Sequence, residues 1–173
     1  SEFIFPDPIE ANPDDLDKAF LRGIADSPIN RLSIGTQSFF EEDLKLMNRA
    51  HSASEAESSI KRAQDFGLEN ISIDLIYGSP TSSLEIWKDN LNKTIALEVP
   101  HISSYALTVE PKTALENWIE NGKVESPKEA EQNREFFYMK DFLKNHNFDH
   151  YEISNFGKPG FHSKHNSSYW KYI

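Results

Sequence analysis

The sequence predicts an α/β fold whose consecutive parallel strands are laid down as in a β/α barrel, and three observations predict it. Four short apolar runs, residues 9–13, 31–39, 74–80 and 101–107, each end in polar groups and a turn residue. Helical sequence separates the runs. The polar groups gather at the expected carboxyl ends of the strands, where such barrels do their chemistry. Strand–helix alternation of this kind calls for right-handed crossovers and a parallel sheet.

The first strand is expected over residues 2–11. Asn12 reads as a helix N-cap with Pro13 at the first helical position. Leu16, Ala19, Phe20, Gly23 and Ile24 follow at helical spacing as one apolar face. A second strand is expected over 30–36, then helices near 41–47 and 53–66, with Gly67 as a C-terminal stop. The third strand covers 71–77 and is broken by Gly78-Ser79-Pro80. Ser82 with Glu85 reads as a capping box for a helix burying Leu84, Trp87, Leu91 and Ile95. Pro100 ends that connection and the fourth strand spans 101–107.

After Glu110 the rhythm changes. A short helix is expected near 115–119, and a longer one opens at Ser126-Pro127 with Glu129. The longer helix offers Phe136, Phe137, Met139, Phe142 and Leu143 to a core, and a further strand is expected over 149–154. The chain thus divides into a barrel portion, residues 1–110, and an extension, 111–173.

Composition narrows the function. Lys and Arg number 18 against 28 Asp and Glu, a formal charge of -10, so there is no basic face for nucleic acid. No signal peptide is read and no apolar run approaches a membrane span, so the cytoplasm is the expected compartment. The chain has no cysteine, which excludes disulfides, zinc–thiolate sites and cysteine-held iron–sulfur clusters within it. An eight-stranded barrel takes about 250 residues, and four βα units cannot close one. Ser1-Glu2-Phe3 enters a strand without an initiating methionine, and Tyr169-Trp170-Lys171-Tyr172-Ile173 ends on aromatics. An excerpt of a larger protein is therefore expected over a small doubly wound sheet.

Glu10, Gln37, Arg49 and Asp74 are the candidate site residues. Glu10, Gln37 and Asp74 stand at or near successive strand ends, so they are able to converge on one ligand. Carboxylates suit ribose hydroxyls or an ammonium group, and arginine holds a carboxylate bidentately. The plain structural alternative makes Glu10 and Asp74 helix caps and Arg49 half of a surface ion pair. His165-Asn166-Ser167-Ser168-Tyr169-Trp170 sets an imidazole, an amide and two aromatic rings close together. Such a group suits a flat conjugated ligand with histidine as an axial metal ligand, or is simply a surface histidine beside core aromatics. The other histidines show no metal-ligand spacing, and there is no serine-nucleophile elbow or phosphate-binding loop. Residues 151–156 alternate as an edge strand would, and are read as structural.

Residues 9–13, 31–39, 74–80, 151–156 and 165–170 resemble, in order and spacing, the signature blocks of the oxygen-independent coproporphyrinogen III oxidase-like radical SAM proteins. The His-Asn-x-x-Tyr-Trp block resembles the haem chaperone branch of that family. The resemblance implies a partial (β/α)6 TIM-like radical SAM barrel, of which this chain supplies strands three to six, plus an α+β extension. It implies that Glu10, Gln37, Arg49, Asp74 and, by a weaker match, Thr108 hold S-adenosylmethionine. Asp74 and Gln37 would face ribose hydroxyls, and Arg49 the methionyl carboxylate. It further implies that His165, Asn166, Tyr169 and Trp170 bind haem, with His165 the candidate iron ligand.

The family's three-cysteine loop, which carries the four-iron four-sulfur cluster of the parent, is not among these residues. The isolated chain is therefore expected to be inactive. Haem or porphyrin and haem-accepting proteins are the implied partners, and open sheet edges favour self-association. Two other readings stand beside this one. The first is a fragment of a true coproporphyrinogen III dehydrogenase. The second is a non-catalytic α/β domain, in which Glu10, Gln37 and Asp74 would diverge in space.

Overall fold

In the computed structural model, which describes residues 9–162, one six-stranded sheet runs in the order β1-β2-β3-β4-β6-β5. The strands are β1 (Ile9–Ala11), β2 (Leu32–Gln37), β3 (Ile71–Tyr77), β4 (His101–Ala106), β5 (Asp149–Glu152) and β6 (Asn155–Gly157). β1 to β4 are mutually parallel. β6 pairs antiparallel with β4 and β5 with β6, so the hairpin of the extension lengthens the same sheet. The helices are α1 (Lys18–Ala25), α2 (Glu41–Leu46), α3 (Ala53–Asp65), α4 (Leu84–Ala96), α5 (Ala114–Glu120) and α6 (Glu129–Asn145).

Alternation along the strands explains the layering. Leu32, Ile34, Ile71, Ile73, Leu75, Ile102 and Phe156 point to one face and are buried. There they meet Leu21 and Ile24 of α1, Ile60 and Ala63 of α3, Trp87 and Leu91 of α4, and Met139 and Leu143 of α6 in one core. The opposite face carries Glu10, Ser33, Gly35, Ser72, Asp74, His101, Ser103 and Tyr105, a row of polar and small residues. Because these core helices share one side, this is a partial α/β barrel with an open polar face. A doubly wound sheet would have helices on both faces.

Four details depart from the sequence expectation. Asn12 and Pro13 open only a short 3-10 turn, Pro13–Asp15, and α1 starts afresh at Asp17, whose carboxylate accepts the Phe20 N–H. That restart rotates the helix phase, so Leu16, Leu21 and Ile24 are buried while Ala19 and Gly23 face solvent. The cap of α4 is Ser83, accepting from the Ile86 N–H, and not Ser82. On α6 the buried stripe is Glu135, Met139 and Leu143, and Phe137 is 60% exposed. Finally, the expected strand 149–154 is folded by a turn into the β5–β6 hairpin.

Candidate functional site

Gln37 ends β2, while Glu10 is the middle residue of β1 and Asp74 stands at the middle of β3, short of its expected strand-end position. All three lie along one side of the polar face. Burial is the main force on the Asp74 carboxyl, and the Glu10 carboxylate adds to it. Together they push its pKa up to about 6, while the Arg49 guanidinium pulls the other way. Glu10, Arg49 and Asp74 therefore share one electrostatic neighbourhood although 64 positions separate the first from the last. Tyr105 of β4 also lies in the fields of Asp74 and Glu10, which add to burial in raising its pKa.

Local structure sets each of these side chains. β2 ends at Gln37 in a left-handed conformation, φ 66°, which a residue with a Cβ adopts only at a cost. The strained turn leaves Gln37 buried, and its amide lies close over Gly35: a Cβ there would stand 3.2 Å from Gln37 Nε2 and 3.5 Å from Asn12 Oδ1. α2 closes through Asn48, also left-handed, with the Arg49 N–H returning to the Leu44 carbonyl. Two residues on, the buried His51 Nε2 is bonded to the Thr36 carbonyl at 2.9 Å. This fastens the segment bearing Arg49 to the end of β2. Arg49 itself is exposed and makes no ion pair among the described residues. Neither Glu10 nor Asp74 caps a helix; those roles fall to Asp17, Ser52, Ser83 and Thr113.

Behind the rim, a buried polar network ties the strand exits together. Ser38 Oγ donates to Asp43 Oδ2 at 3.0 Å, and Thr81 Oγ1 donates to Asp43 Oδ1 at 2.8 Å. Asn90 of α4 donates to Ser38 Oγ and accepts the Phe39 N–H. The segment after β2 and the segment after β3 are thus joined through one carboxylate of α2. Burial pushes the Asp43 carboxyl up, and its hydroxyl partners partly offset this.

α6 grips the next turn. Gln132 Nε2 donates to the Leu107 carbonyl at 2.9 Å and to the Gly78 carbonyl at 3.4 Å. Glu135 Oε1 accepts the Gly78 N–H at 3.4 Å, while the Trp87 indole donates to the Glu135 carbonyl at 3.0 Å.

At the amino-terminal end of the polar face lies a second cluster. Ser72 Oγ and His101 Nδ1 share a hydrogen bond of 2.6 Å, and His101 Nε2 and Tyr151 Oη another of 2.5 Å. Burial, then the charges of Arg31 and His162, hold the His101 pKa down near 3, so the ring is neutral. His162 stacks on Tyr151 and is bonded to Asp149, closing this end with the hairpin.

Thr108 lies just past β4, exposed, with its hydroxyl donating to Glu110 at 3.0 Å. The structure thus brings Glu10, Gln37, Arg49 and Asp74 to one rim and leaves Thr108 turned to a neighbouring side chain. His165, Asn166, Tyr169 and Trp170 lie outside the described residues. Sequence reasoning missed Asp43, Glu135 and the His101–Tyr151 pair. One signal was available: Glu135 falls in register with Met139 and Leu143 on the buried stripe of α6. Among the described residues, no group of three or more histidines and carboxylates is arranged to hold a metal ion.

Residues 7–93 match the family described as the Radical SAM superfamily. Heme chaperone HemW of Lactococcus lactis is 40% identical over 162 residues, covering 94% of this chain and 43% of that protein. Heme chaperone HemW of Bacillus subtilis is 37% identical over the same shares of the two chains. The chain thus spans less than half the length of these relatives. The structure of coproporphyrinogen III oxidase HemN from Escherichia coli superposes with a TM-score of 0.76. That match covers 95% of this chain and 37% of the other at 22% identity, a likeness of fold. With more than half of its residues matched by that family, the chain belongs to the radical SAM superfamily.

Proposed function

We propose that this chain is part of a haem-chaperone-like radical SAM protein of the cytoplasm, and that its concave rim forms one wall of the S-adenosylmethionine pocket. The observation that carries this is the convergence of Glu10, Arg49 and Asp74 in one electrostatic neighbourhood. Asp74, ionised above about pH 6, accepts ribose hydroxyls beside the Gln37 amide. Arg49 supplies a guanidinium fork for the methionyl carboxylate, and Glu10 lies against Asp74. S-adenosylmethionine supplies the radical precursor in this superfamily. The residues present fit its polar groups but do not fit the cluster, since the chain offers no thiolate. Within this reading, residues 1–110 hold the nucleoside wall and 111–173 form the extension. Haem and haem-accepting proteins are the partners. The outer edges of β1 and β5, unpaired among the described residues, favour self-association.

Equilibrium titration with S-adenosylmethionine tests the rim. Asp74→Asn and Arg49→Ala are each expected to weaken binding by about tenfold or more, the loss that follows removal of a charge-assisted hydrogen bond. Binding unchanged in both variants overturns the assignment. The haem site proposed at His165, Asn166, Tyr169 and Trp170 is read separately by absorbance. Haem added to the chain is expected to give a shifted Soret band that His165→Ala abolishes, and an identical band in that variant removes His165 as the iron ligand.

A further inference from the structure

We infer that Glu135 of α6 is a proton-operated positioning residue, whose ionisation tightens the Gly78 turn and thereby strengthens nucleoside binding at the Asp74 rim. The inference rests on the reading of that rim as an S-adenosylmethionine site.

Geometry carries it. Glu135 is 2% exposed, and it is one of the residues lining a cleft of about 460 Å³, whose walls include Gly78, Ser79 and the start of α4 at Ser83. Around the cleft the other acids already have cations: Glu85 pairs with Lys88, Glu125 with Lys128 and Glu131 with Arg134. Glu135 has none among the described residues. Its carboxylate accepts the Gly78 N–H, at a long 3.4 Å.

Gly78 directly follows β3, four residues after Asp74, and its carbonyl is held by Gln132 of the same helix. The next residue, Ser79, bonds to Thr81, which donates to Asp43, and Asp43 holds Ser38 beside Gln37. A change at Glu135 therefore reaches the tips of both β3 and β2 through contiguous hydrogen bonds.

The groups facing Glu135 favour its neutral form. Asp43 of α2 and Glu131 of α6 are negative, and Tyr77 of β3 is an uncharged phenol in its field. Burial first, then these two carboxylates, raise the Glu135 pKa to about 7, with the Gly78 N–H opposing. Protonation thus changes within the physiological range. The carboxylate is a strong acceptor for the Gly78 N–H, and the neutral acid a weak one. Above neutrality the turn is clasped; below it the clasp slackens.

The test uses S-adenosylhomocysteine as probe with the whole chain and Glu135→Gln, which mimics the neutral acid at every pH. At pH 5.5 the two are expected to bind equally. At pH 8.5 the unaltered chain is expected to bind about fivefold or more tightly than the variant, a coupling of ordinary size. A ratio that does not change with pH marks Glu135 as structural and overturns the inference.

A second readout stands apart from ligand binding and from whether Glu135→Gln folds. In a Trp118→Phe/Trp170→Phe chain, the Trp87 indole bonded to the Glu135 carbonyl reports alone, and its emission is expected to titrate near pH 7. A flat profile also overturns the inference. Absence of probe binding at every pH, with a Trp87 titration present, refutes the rim reading and leaves the clasp intact.

Discussion

Replacing Gly78 with alanine is expected to destabilise the fold by about 2–4 kcal/mol, from one unit of backbone strain and the loss of the Gln132 clasp. Gly78 has φ +78°, and a Cβ built there would stand 2.2 Å from Gln132 Cγ, with Nε2 and Cδ at 2.8 and 2.9 Å. Contact with Cγ, close to the α6 backbone, is not relieved by moving only the end of the side chain. Gln132 must swing away and give up its bonds to the Gly78 and Leu107 carbonyls. Urea unfolding of Gly78→Ala, Gln132→Ala and the double variant checks this. The two costs are expected to be less than additive, because truncating Gln132 removes the clash and leaves only the strain of a left-handed alanine. Strict additivity sinks the account, as does a Gly78→Ala protein as stable as the unaltered chain. S-adenosylmethionine binding is expected to weaken in Gly78→Ala as well, since the turn sets the end of β3.

The second large effect is acid lability centred on His101. In the unfolded chain its ring takes a proton near pH 6.5, but in the fold burial delays this to about 3. Between those values the unfolded state binds the extra proton, so stability is fully present above 6.5 and is lost as pH falls toward 3. The full difference is on the order of 5 kcal/mol. Two carboxyls act in the opposite sense. Asp74 and Glu135 keep their protons up to about 6 and about 7, well above their ordinary values of 3.8 and 4.5. Their contributions are present at low pH and are lost as pH rises through those windows.

A His101→Gln variant separates the opposing effects. At pH 7.5 it is expected to be less stable by about 2–3 kcal/mol, through two disturbed hydrogen bonds and poorer packing. The gap is expected to close as pH falls to 4, because glutamine carries no titration. Urea midpoints followed from pH 8 to 4 give the answer; a constant gap removes His101 as the acid-sensitive group.

The parallel strands were legible because each is an apolar, β-branched run closed by turn residues, and β3 came out at its expected bounds, Ile71–Tyr77. Helix phase was harder to read. Asp17 and Asn12 are both good caps, and only the packing of Leu21 against the sheet selects the later start. Ser82 and Ser83 compete in the same way, and Ser83 wins because it leaves Trp87 aimed at the core. Phe137 looked like core by composition, yet a helix buries only one stripe and Glu135 occupies the place an apolar residue would be expected to take.

The rim residues were visible as polar groups in or near apolar strands, although only Gln37 ends its strand and Asp74 sits in the middle of β3. The second tier, Asp43 with Ser38, Thr81 and Asn90, was not, because its members lie as many as 52 positions apart and no local period links them. The block 151–156, read as a structural strand, proves to be a hairpin that sends Tyr151 to His101 and Asn155 to Ser103.

The separation of the sheet into an oily convex side and a polar concave side has a consequence for how such a protein can change over generations. Cohesion comes from Leu32, Ile34, Ile73, Trp87, Phe156 and their neighbours, whose loss creates cavities costing several kcal/mol. Residues such as Glu10, Ser33 and Tyr105 contribute little of that cohesion, being small, polar or wet. Substitutions at the solvent-facing positions of the inner surface are therefore cheap, while those on the outer one, or at the buried His101, are not. The scaffold can try new ligands along one side of each strand while every second residue, facing the helices, keeps the fold unchanged.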